Sequence, residues 1–215
     1  MRALLVLLVA LVLAGCGGGD DDASSGDGDT TTALMECQDV ETPEAREPEP
    51  AEAPTGSLTE TTTLTFDTSC GSFTVALDPA TAPKTGASLV ALAESGYFDD
   101  TIFHRVVPGF VIQGGDPTQS GAGGPGYSTV DVPSSDGKYA QGVVAMAKSG
   151  VEAPGTAGSQ FFVVTGEDIG LPPEYAIVGE VTEGMETVMR IDALGVGDGP
   201  PSQPVVVNTV TVGQR

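Results

Sequence analysis

The chain lacks tryptophan and has a single histidine, three cysteines and only eight lysines and arginines among its 215 residues. Thirty acidic residues oppose those eight bases, and the formal net charge is −22 at pH 7. Because phosphate binding is driven by Lys and Arg, this balance argues against nucleic acid as a partner. The lone histidine, His104, excludes any site that needs two histidines, and no Gly-x-Ser-x-Gly elbow is present to serve a serine triad.

A long apolar run is also missing, since crossing a bilayer takes about 20 residues. The run Ala3–Ala14 is uninterrupted but shorter, follows the positive charge of Arg2 and suits the apolar region of a signal peptide. It ends in Leu13-Ala14-Gly15-Cys16, which resembles the lipobox of bacterial lipoproteins. We therefore predict that residues 1–16 are a lipoprotein signal peptide and that an acylated Cys16 anchors the protein to the cell membrane, outside the cytoplasm. An ordinary secretory signal with a chance cysteine is the alternative.

Residues 17–57 are Gly-rich, then Asp-rich, then rich in Glu, Pro and Ala. Such a composition buries too little apolar surface to offset the entropy of ordering, so we predict a disordered acidic tether that precedes a domain at residues 58–215. Cys37 and Cys70 are the thiols that remain once Cys16 is acylated. A compartment that permits disulfides favours a bridge between them, and two independent thiols are the alternative.

Alternating apolar residues and frequent turn signals divide the domain into many short strands and few helices. The predicted strands are Thr61–Phe66, Ser72–Leu77, Gly142–Ala147, Gln160–Val164, Ala176–Val181 and Val205–Val212. A helix is predicted to begin at Thr81–Lys84 and to end at Gly96, and a second to span Gly184–Ile191. This pattern indicates a mainly β protein with an antiparallel barrel.

An unusual charge interrupts the apolar stretch in the middle of the domain. Two short strands are predicted there, Ile102–Val107 and Phe110–Gln113, hinged at Pro108-Gly109. The period of two places Arg105 on the opposite face from His104, so a permanently charged guanidinium lies within a buried-looking strand. An edge strand with one face in water would produce the same pattern.

The stretch Phe103–Asp116, with the sequence Phe-His-Arg-Val-Val-Pro-Gly-Phe-Val-Ile-Gln-Gly-Gly-Asp, resembles the signature of the cyclophilins, a class of peptidyl-prolyl cis-trans isomerases. Three further stretches follow in that family's order and spacing: Val144–Ala147, Gly158–Val163 and Tyr175–Val181. The resemblance covers roughly residues 58–212. It implies an eight-stranded antiparallel β-barrel capped by two α-helices.

The resemblance also implies an activity, the isomerisation of X-Pro bonds without metal or cofactor. With the predicted signal peptide, the substrates would be proline-containing segments of proteins that fold outside the cytoplasm, and we expect a monomer. It makes Arg105 the catalytic residue. The implied substrate-binding residues are Phe110, Val111, Gln113, Ala147, Lys148, Gln160, Phe162, Leu171 and Tyr175. The apolar members could instead be barrel core. The competing function is a membrane-tethered module or chaperone that binds proline peptides and catalyses only incidentally.

Four positions depart from the family pattern. Val111 replaces a frequent Met, Lys148 a common Asn, Gly170 an aromatic residue that is often Trp, and Tyr175 a common His. We therefore expect catalysis to be retained and the binding of cyclosporin to be weak.

The segment Gly121–Gly126 (Gly-Ala-Gly-Gly-Pro-Gly) matches the dinucleotide-binding fingerprint letter for letter. That fingerprint must follow a strand and open a helix, whereas this segment follows a Gly/Ser turn and leads into Tyr127-Ser128-Thr129-Val130. The resemblance implies a loop at the rim of the active site, and a plain flexible loop is the alternative.

Overall fold

The computed structural model describes residues 36–48 and 50–214, so the predicted signal peptide and Cys16 lie outside the described residues. The strands are β1 (Thr62–Thr68), β2 (Gly71–Leu77), β3 (Thr101–Ile102), β4 (Arg105–Val107), β5 (Val111–Gly114), β6 (Thr129–Val130), β7 (Val143–Met146), β8 (Thr156–Ala157), β9 (Phe161–Val164), β10 (Ile177–Glu183) and β11 (Val206–Gln214). The helices are α1 (Pro83–Glu94) and α2 (Met185–Asp192). Across the described ranges, neither helix combines the length and apolar character that a membrane span requires.

Nine strands form one antiparallel sheet in the order β3-β11-β1-β2-β10-β7-β9-β5-β4, and β6 pairs with β8 in a small second sheet. The strands at the two ends of the large sheet, β3 and β4, are separated in the chain by only Phe103 and His104. The sheet must therefore curl until its ends approach each other. A mainly β, curled antiparallel fold with two helices is thus confirmed. The sheet has nine strands rather than eight, because the predicted strand Ile102–Val107 is broken into β3 and β4.

The interior of the curled sheet is filled by alternate residues of its strands. Leu64 and Phe66 of β1 and Phe73 and Val75 of β2 are all at most 3% exposed. Phe66 and Phe73 are direct partners in the β1–β2 register, and their rings stack with centroids 4.8 Å apart. Burying side chains of this size stabilises the fold by about 1.5–3 kcal/mol each.

Helix α1 closes one end of the sheet. Pro83 occupies its first turn, where a missing N–H costs nothing. Leu89 and Leu92 point into the core. The helix ends at Glu94 and is followed by Gly96, whose φ of +71° suits glycine, and the Tyr97 N–H donates back to the Leu92 carbonyl at 3.0 Å. The predicted start of this helix is that in the structure, and the predicted end at Gly96 lies two residues beyond its last helical residue.

The strap, defined as residues 36–48 and 50–58, lies against the domain, where its composition predicted a disordered tether. A disulfide joins Cys37 to Cys70. Arg46 Nη2 donates to the carbonyl of Tyr97 at 2.6 Å and to that of Asp99 at 2.9 Å. A covalent link and a few well-placed hydrogen bonds therefore order a segment that has little apolar surface to bury. Composition alone does not register such single contacts.

Candidate active site

Strands β5, β9 and β7 have two apolar faces, whereas β4 has one. One face, which includes Val106, Ile112 and Val163, belongs to the main core. The other, which includes Val111 and Phe162, forms a separate and smaller apolar cluster. Because side chains alternate along a strand, β5, β7 and β9 each supply both clusters, whereas β4 supplies only the main core. The second cluster is the base of the candidate site.

Arg105 and Gln113 lie opposite each other in the β4–β5 register, which places their side chains on one face. Arg105 Nη1 donates to Gln113 Oε1 at 3.3 Å. Gln113 Nε2 donates to Gln160 Oε1 at 3.1 Å, and Gln160 Nε2 donates to the Gly123 carbonyl at 2.9 Å. This series of hydrogen bonds fixes the orientation of both amides and links the guanidinium to the loop across the groove.

A pocket of about 280 Å³ opens beside the guanidinium. Its lining residues are Arg105, Phe110, Val111, Gln113, Ala147, Lys148, Phe162, Leu171 and Tyr175. The structure thus brings every site residue predicted from the sequence together around one pocket except Gln160, which lies next to it and hydrogen-bonds to Gln113. The walls are mostly apolar and the charge is confined to Arg105 and Lys148, an arrangement suited to a small apolar ring with a polar backbone.

Tyr139, which the sequence analysis missed, supports the aromatic wall. Its hydroxyl donates to the Tyr175 carbonyl at 2.8 Å and accepts from the Tyr175 N–H at 3.0 Å. Phe162 meets Tyr175 edge-on, with ring centroids 5.7 Å apart. Burial raises the pKa of Tyr139, so this hydroxyl stays protonated. Tyr139 follows a Gly/Ser/Asp-rich loop, and nothing in that stretch signals a buried ring.

Lys148 lies against the same wall. Its side chain is 3% exposed, and Nζ is 3.2 Å from Glu174 Oε2 and 5.4 Å from the centre of the Tyr175 ring. Nζ also donates to the Glu152 carbonyl at 3.2 Å. Lys148, which replaces the family's common Asn, is therefore paired with a carboxylate and packed against the Tyr175 ring.

Asp198 is the second residue that the sequence analysis missed. Arg105 donates to it twice, from Nε to Oδ1 at 2.5 Å and from Nη2 to Oδ2 at 3.1 Å. The hydrogen bond from Arg105 holds the pKa of Asp198 below its usual value. Asp198 lies 93 residues from Arg105 in a glycine-rich loop, so no local pattern in the sequence points to this pair.

The rim loop, defined as residues 116–128, forms one wall of a second groove of about 830 Å³ that shares Gln113, Ala147 and Lys148 with the pocket. Asp116 is fully buried and accepts hydrogen bonds from the backbone N–H groups of Thr118, Gly121 and Gly123. Burial alone would raise the pKa of Asp116, but these hydrogen bonds and that of the Thr118 hydroxyl outweigh it and lower the pKa. A strand, β6, follows the loop, where a dinucleotide-binding fingerprint would require a helix.

His104 immediately precedes strand β4, and its ring lies beside Gly121 of the rim loop. Both of its ring nitrogens are buried and have no hydrogen-bond partner among the residues that the structure describes. Burial lowers the pKa of His104, so the ring is neutral. It does not line the pocket, in keeping with a structural role.

Gly170 lies beside the pocket without lining it. Its φ is +61°, and a Cβ built there would meet nothing within 4 Å. The position at which the family often carries an aromatic ring is therefore open.

Comparison with known proteins agrees with this geometry. Residues 63–212 match the family model described as cyclophilin type peptidyl-prolyl cis-trans isomerase/CLD. The chain is 38% identical to a probable peptidyl-prolyl cis-trans isomerase A of Mycobacterium leprae, over 74% of this chain and 96% of that protein. It is 43% identical to a peptidyl-prolyl cis-trans isomerase-like 1 of Emericella nidulans, over 60% of this chain and 81% of that protein.

Solved structures agree as well. A cyclophilin type peptidyl-prolyl cis-trans isomerase of Cryptosporidium parvum superposes with a TM-score of 0.66 at 30% identity, over 72% of this chain and 99% of that one. A crystal structure of the same protein in the presence of the dipeptide Ala-Pro gives a TM-score of 0.65 at 31% identity, over 71% of this chain and 99% of that one. The family match spans the strands that carry the pocket and most of the fold. The chain therefore belongs to the cyclophilin-type peptidyl-prolyl cis-trans isomerases.

Proposed function

We propose that this isomerase acts on proline-containing segments of proteins that fold outside the cytoplasm, and that Arg105 is its catalytic residue. The observation that carries the proposal is the position of the Arg105 guanidinium on the wall of an apolar pocket of about 280 Å³. Such a pocket suits a proline ring, and the Arg105 guanidinium on its wall would lie beside the amide of a bound proline.

The reaction requires no proton transfer and no covalent intermediate. An X-Pro bond isomerises slowly because amide resonance must be broken, with a barrier of about 18–20 kcal/mol. In the twisted amide the prolyl nitrogen becomes pyramidal and regains its lone pair. Reducing tens of seconds to milliseconds takes about 6–7 kcal/mol of transition-state stabilisation. A charge-assisted hydrogen bond to that nitrogen in a partly dry pocket supplies much of it.

The donors of Arg105 are sufficient for this role. A guanidinium has five N–H groups. Two bond to Asp198 and one to Gln113, which leaves one on Nη1 and one on Nη2 for the substrate. Arg105 is 31% exposed at its side chain, so a bound peptide can reach it.

The remaining residues bind and orient the peptide. Phe110, Phe162 and Leu171 present apolar surface to the proline ring. Gln113 orients the substrate backbone and holds Arg105. The groove along the rim loop receives residues next to the proline, since it shares Gln113 and Ala147 with the pocket.

The location outside the cytoplasm is supported by two features. The sequence Leu13-Ala14-Gly15-Cys16 resembles a lipobox, and the Cys37–Cys70 disulfide is typical of an oxidising compartment. A Cys16→Ser variant should lose the lipid and appear in the soluble fraction or remain unprocessed. Normal maturation and membrane partitioning of that variant would rule out the anchor.

The experiment that tests the proposed function is a proline-peptide isomerisation assay on the purified full chain and its Arg105→Ala variant. We expect kcat/KM to fall at least about tenfold, or about 1.4 kcal/mol of transition-state stabilisation. Lys138→Ala removes a positive charge from an exposed residue outside the pocket and should behave like the parent. Equal activity in Arg105→Ala and Lys138→Ala would show that Arg105 is not the catalytic residue.

A further inference from the structure

The loop that carries Asp198 is tied to the strand that carries Arg105. The Val106 N–H donates to the Gly199 carbonyl at 2.8 Å, so the residues next to Arg105 and Asp198 are bonded backbone to backbone. At the base of the loop, the Ser202 N–H donates to the Leu194 carbonyl at 2.8 Å. The carboxylate therefore stands beside the guanidinium because the backbone holds it there.

The pair contributes little to the stability of the fold. The side chain of Asp198 is 68% exposed, and exposed ion pairs are weak because water and salt screen them. Its two parallel hydrogen bonds instead fix the plane of the guanidinium, since a bidentate pair determines orientation as well as distance. Gln113 accepts a third hydrogen bond from the guanidinium, donated by Nη1.

We propose that Asp198 is a positioning residue, which holds the Arg105 guanidinium in the plane that aims its two free N–H groups at the prolyl nitrogen. This inference rests on the proposed catalytic role of Arg105. Without Asp198, rotation about the Arg105 side-chain bonds would cost little, and the donors would spend only part of the time in the productive orientation. Displacing a catalytic group in this way lowers the rate of the chemical step more than the affinity for substrate.

The test compares Asp198→Ala, Asp198→Asn and Asp198→Glu in the full chain, with kcat and KM measured separately. We expect kcat to fall about tenfold in Asp198→Ala with KM within about twofold of the parent. Asp198→Asn keeps one acceptor and should lose less, and Asp198→Glu should recover most of the rate. Glu183→Ala removes a charge from an exposed residue outside the pocket and should match the parent.

A double-mutant cycle separates this inference from the proposed function. If Asp198 acts through Arg105, then the Arg105→Ala/Asp198→Ala protein should be no slower than Arg105→Ala alone. Parent-like kcat in Asp198→Ala, together with a slow Arg105→Ala, would overturn the positioning role and leave the proposed function intact. Parent-like kcat in Arg105→Ala would overturn the proposed function itself.

A different set of contacts connects the strap to the rim loop. The Arg46 N–H donates to the Pro117 carbonyl at 3.0 Å, and Gln119 Nε2 donates to the Pro43 carbonyl at 2.9 Å. The Ala51 N–H donates to the Pro125 carbonyl at 2.9 Å. The strap thus supports both ends of the rim loop, whose intervening residues line the groove of about 830 Å³.

We further propose that the strap, closed by the Cys37–Cys70 disulfide, keeps the rim loop in its substrate-binding shape and makes substrate affinity depend on that bond. A dithiol reductant would give two electrons and two protons to the disulfide and leave two thiols. The first residues of the strap would then lose their covalent link, and the rim loop would lose part of its support. Ordering the loop again on binding would cost affinity, whereas the guanidinium would keep its position.

The test measures KM and kcat for the full chain before and after reduction, and for a Cys37→Ser/Cys70→Ser variant. We expect KM to rise about threefold to tenfold with little change in kcat, and amide exchange at Gly121 and Gly123 to accelerate. Arg46→Gln leaves the disulfide intact, so the same rise in KM there would tie the effect to the strap and not to the thiols. Unchanged KM and unchanged amide exchange in all three proteins would overturn this inference.

Discussion

Lys148 and Glu174 form an ion pair of unequal partners on the wall of the pocket. Nζ and Oε2 are 3.2 Å apart, but the lysine side chain is 3% exposed and that of the glutamate 46%. Removing Glu174 and removing Lys148 therefore have different consequences. The loss of Glu174 leaves a buried cation without its carboxylate, whereas the loss of Lys148 leaves a carboxylate that water still reaches.

We expect Glu174→Gln to lower the free energy of unfolding by about 1–2 kcal/mol, since half-exposure of the glutamate reduces the value of a fully buried pair. Lys148→Met retains most of the buried apolar surface and should cost less than Glu174→Gln. Urea unfolding of the two variants measures the difference. A larger loss in Lys148→Met would show that the charge of the lysine contributes mainly through its contact with the Tyr175 ring and its hydrogen bond to the Glu152 carbonyl.

Tyr139→Phe should destabilise the protein and also weaken its binding of a proline peptide. The change leaves the Tyr175 N–H and carbonyl without their buried partner, at a cost of about 1–3 kcal/mol. Because Tyr175 lines the pocket, we also expect KM for a proline peptide to rise. Thermal unfolding and the isomerisation assay measure the two effects. A stable variant with parent-like KM would show that the Tyr139 hydroxyl does not hold this wall.

His104 predicts a dependence of stability on pH below about pH 7. Burial lowers its pKa in the folded protein, whereas the unfolded chain has the usual value of about 6.5. Below the unfolded-state pKa, the imidazole binds a proton in the unfolded state but not in the folded state. The free energy of unfolding therefore falls as the pH drops toward the lowered folded-state pKa. Because the chain has no other histidine, His104→Phe should flatten this dependence. The urea midpoint of the parent and of His104→Phe is measured at pH 7 and at pH 5.5. An equal change of midpoint between the two pH values in both proteins would contradict the assignment.

Cyclosporin should bind weakly for this family. A Cβ at Gly170 would face open space, and the chain has no tryptophan to replace the missing ring. The loss of one hydrogen bond and of aromatic burial is worth about 2–4 kcal/mol, or about 30- to 1000-fold in affinity. Titration of the isomerase activity with the drug tests this expectation. Nanomolar inhibition would show that another side chain takes the place of the ring.

Local patterns in the sequence were sufficient for much of the fold. Period-two alternation found β1, β2, β7, β9, β10 and β11 to within a few residues, because each of these strands buries at least one face in a core. Pro83 and Gly96 bracketed α1 because proline and glycine have fixed places at the ends of helices. The break between β3 and β4 was missed, since neither Phe103 nor His104 is a turn residue.

The pocket could be predicted as far as the resemblance to the family reached, which included Lys148 and Leu171 between the family motifs. Arg105, Gln113 and Phe162 lie within those motifs, and the structure brings them together around one pocket. Asp198 and Tyr139 lie outside the motifs and reach the site through the tertiary fold. The strap is ordered by one disulfide and a few hydrogen bonds. Single contacts of this kind cannot be predicted from amino-acid composition.

The central claim is that Arg105 stabilises the twisted amide and does not merely bind the peptide. It is tested most directly by measuring, on the full chain and Arg105→Ala, both the dissociation constant of a proline peptide and its cis–trans exchange rate at saturation by NMR. The account predicts an exchange rate at least about tenfold slower in Arg105→Ala with a dissociation constant within about threefold of the parent. A weakened affinity with an unchanged exchange rate at saturation would contradict it and make Arg105 a binding residue.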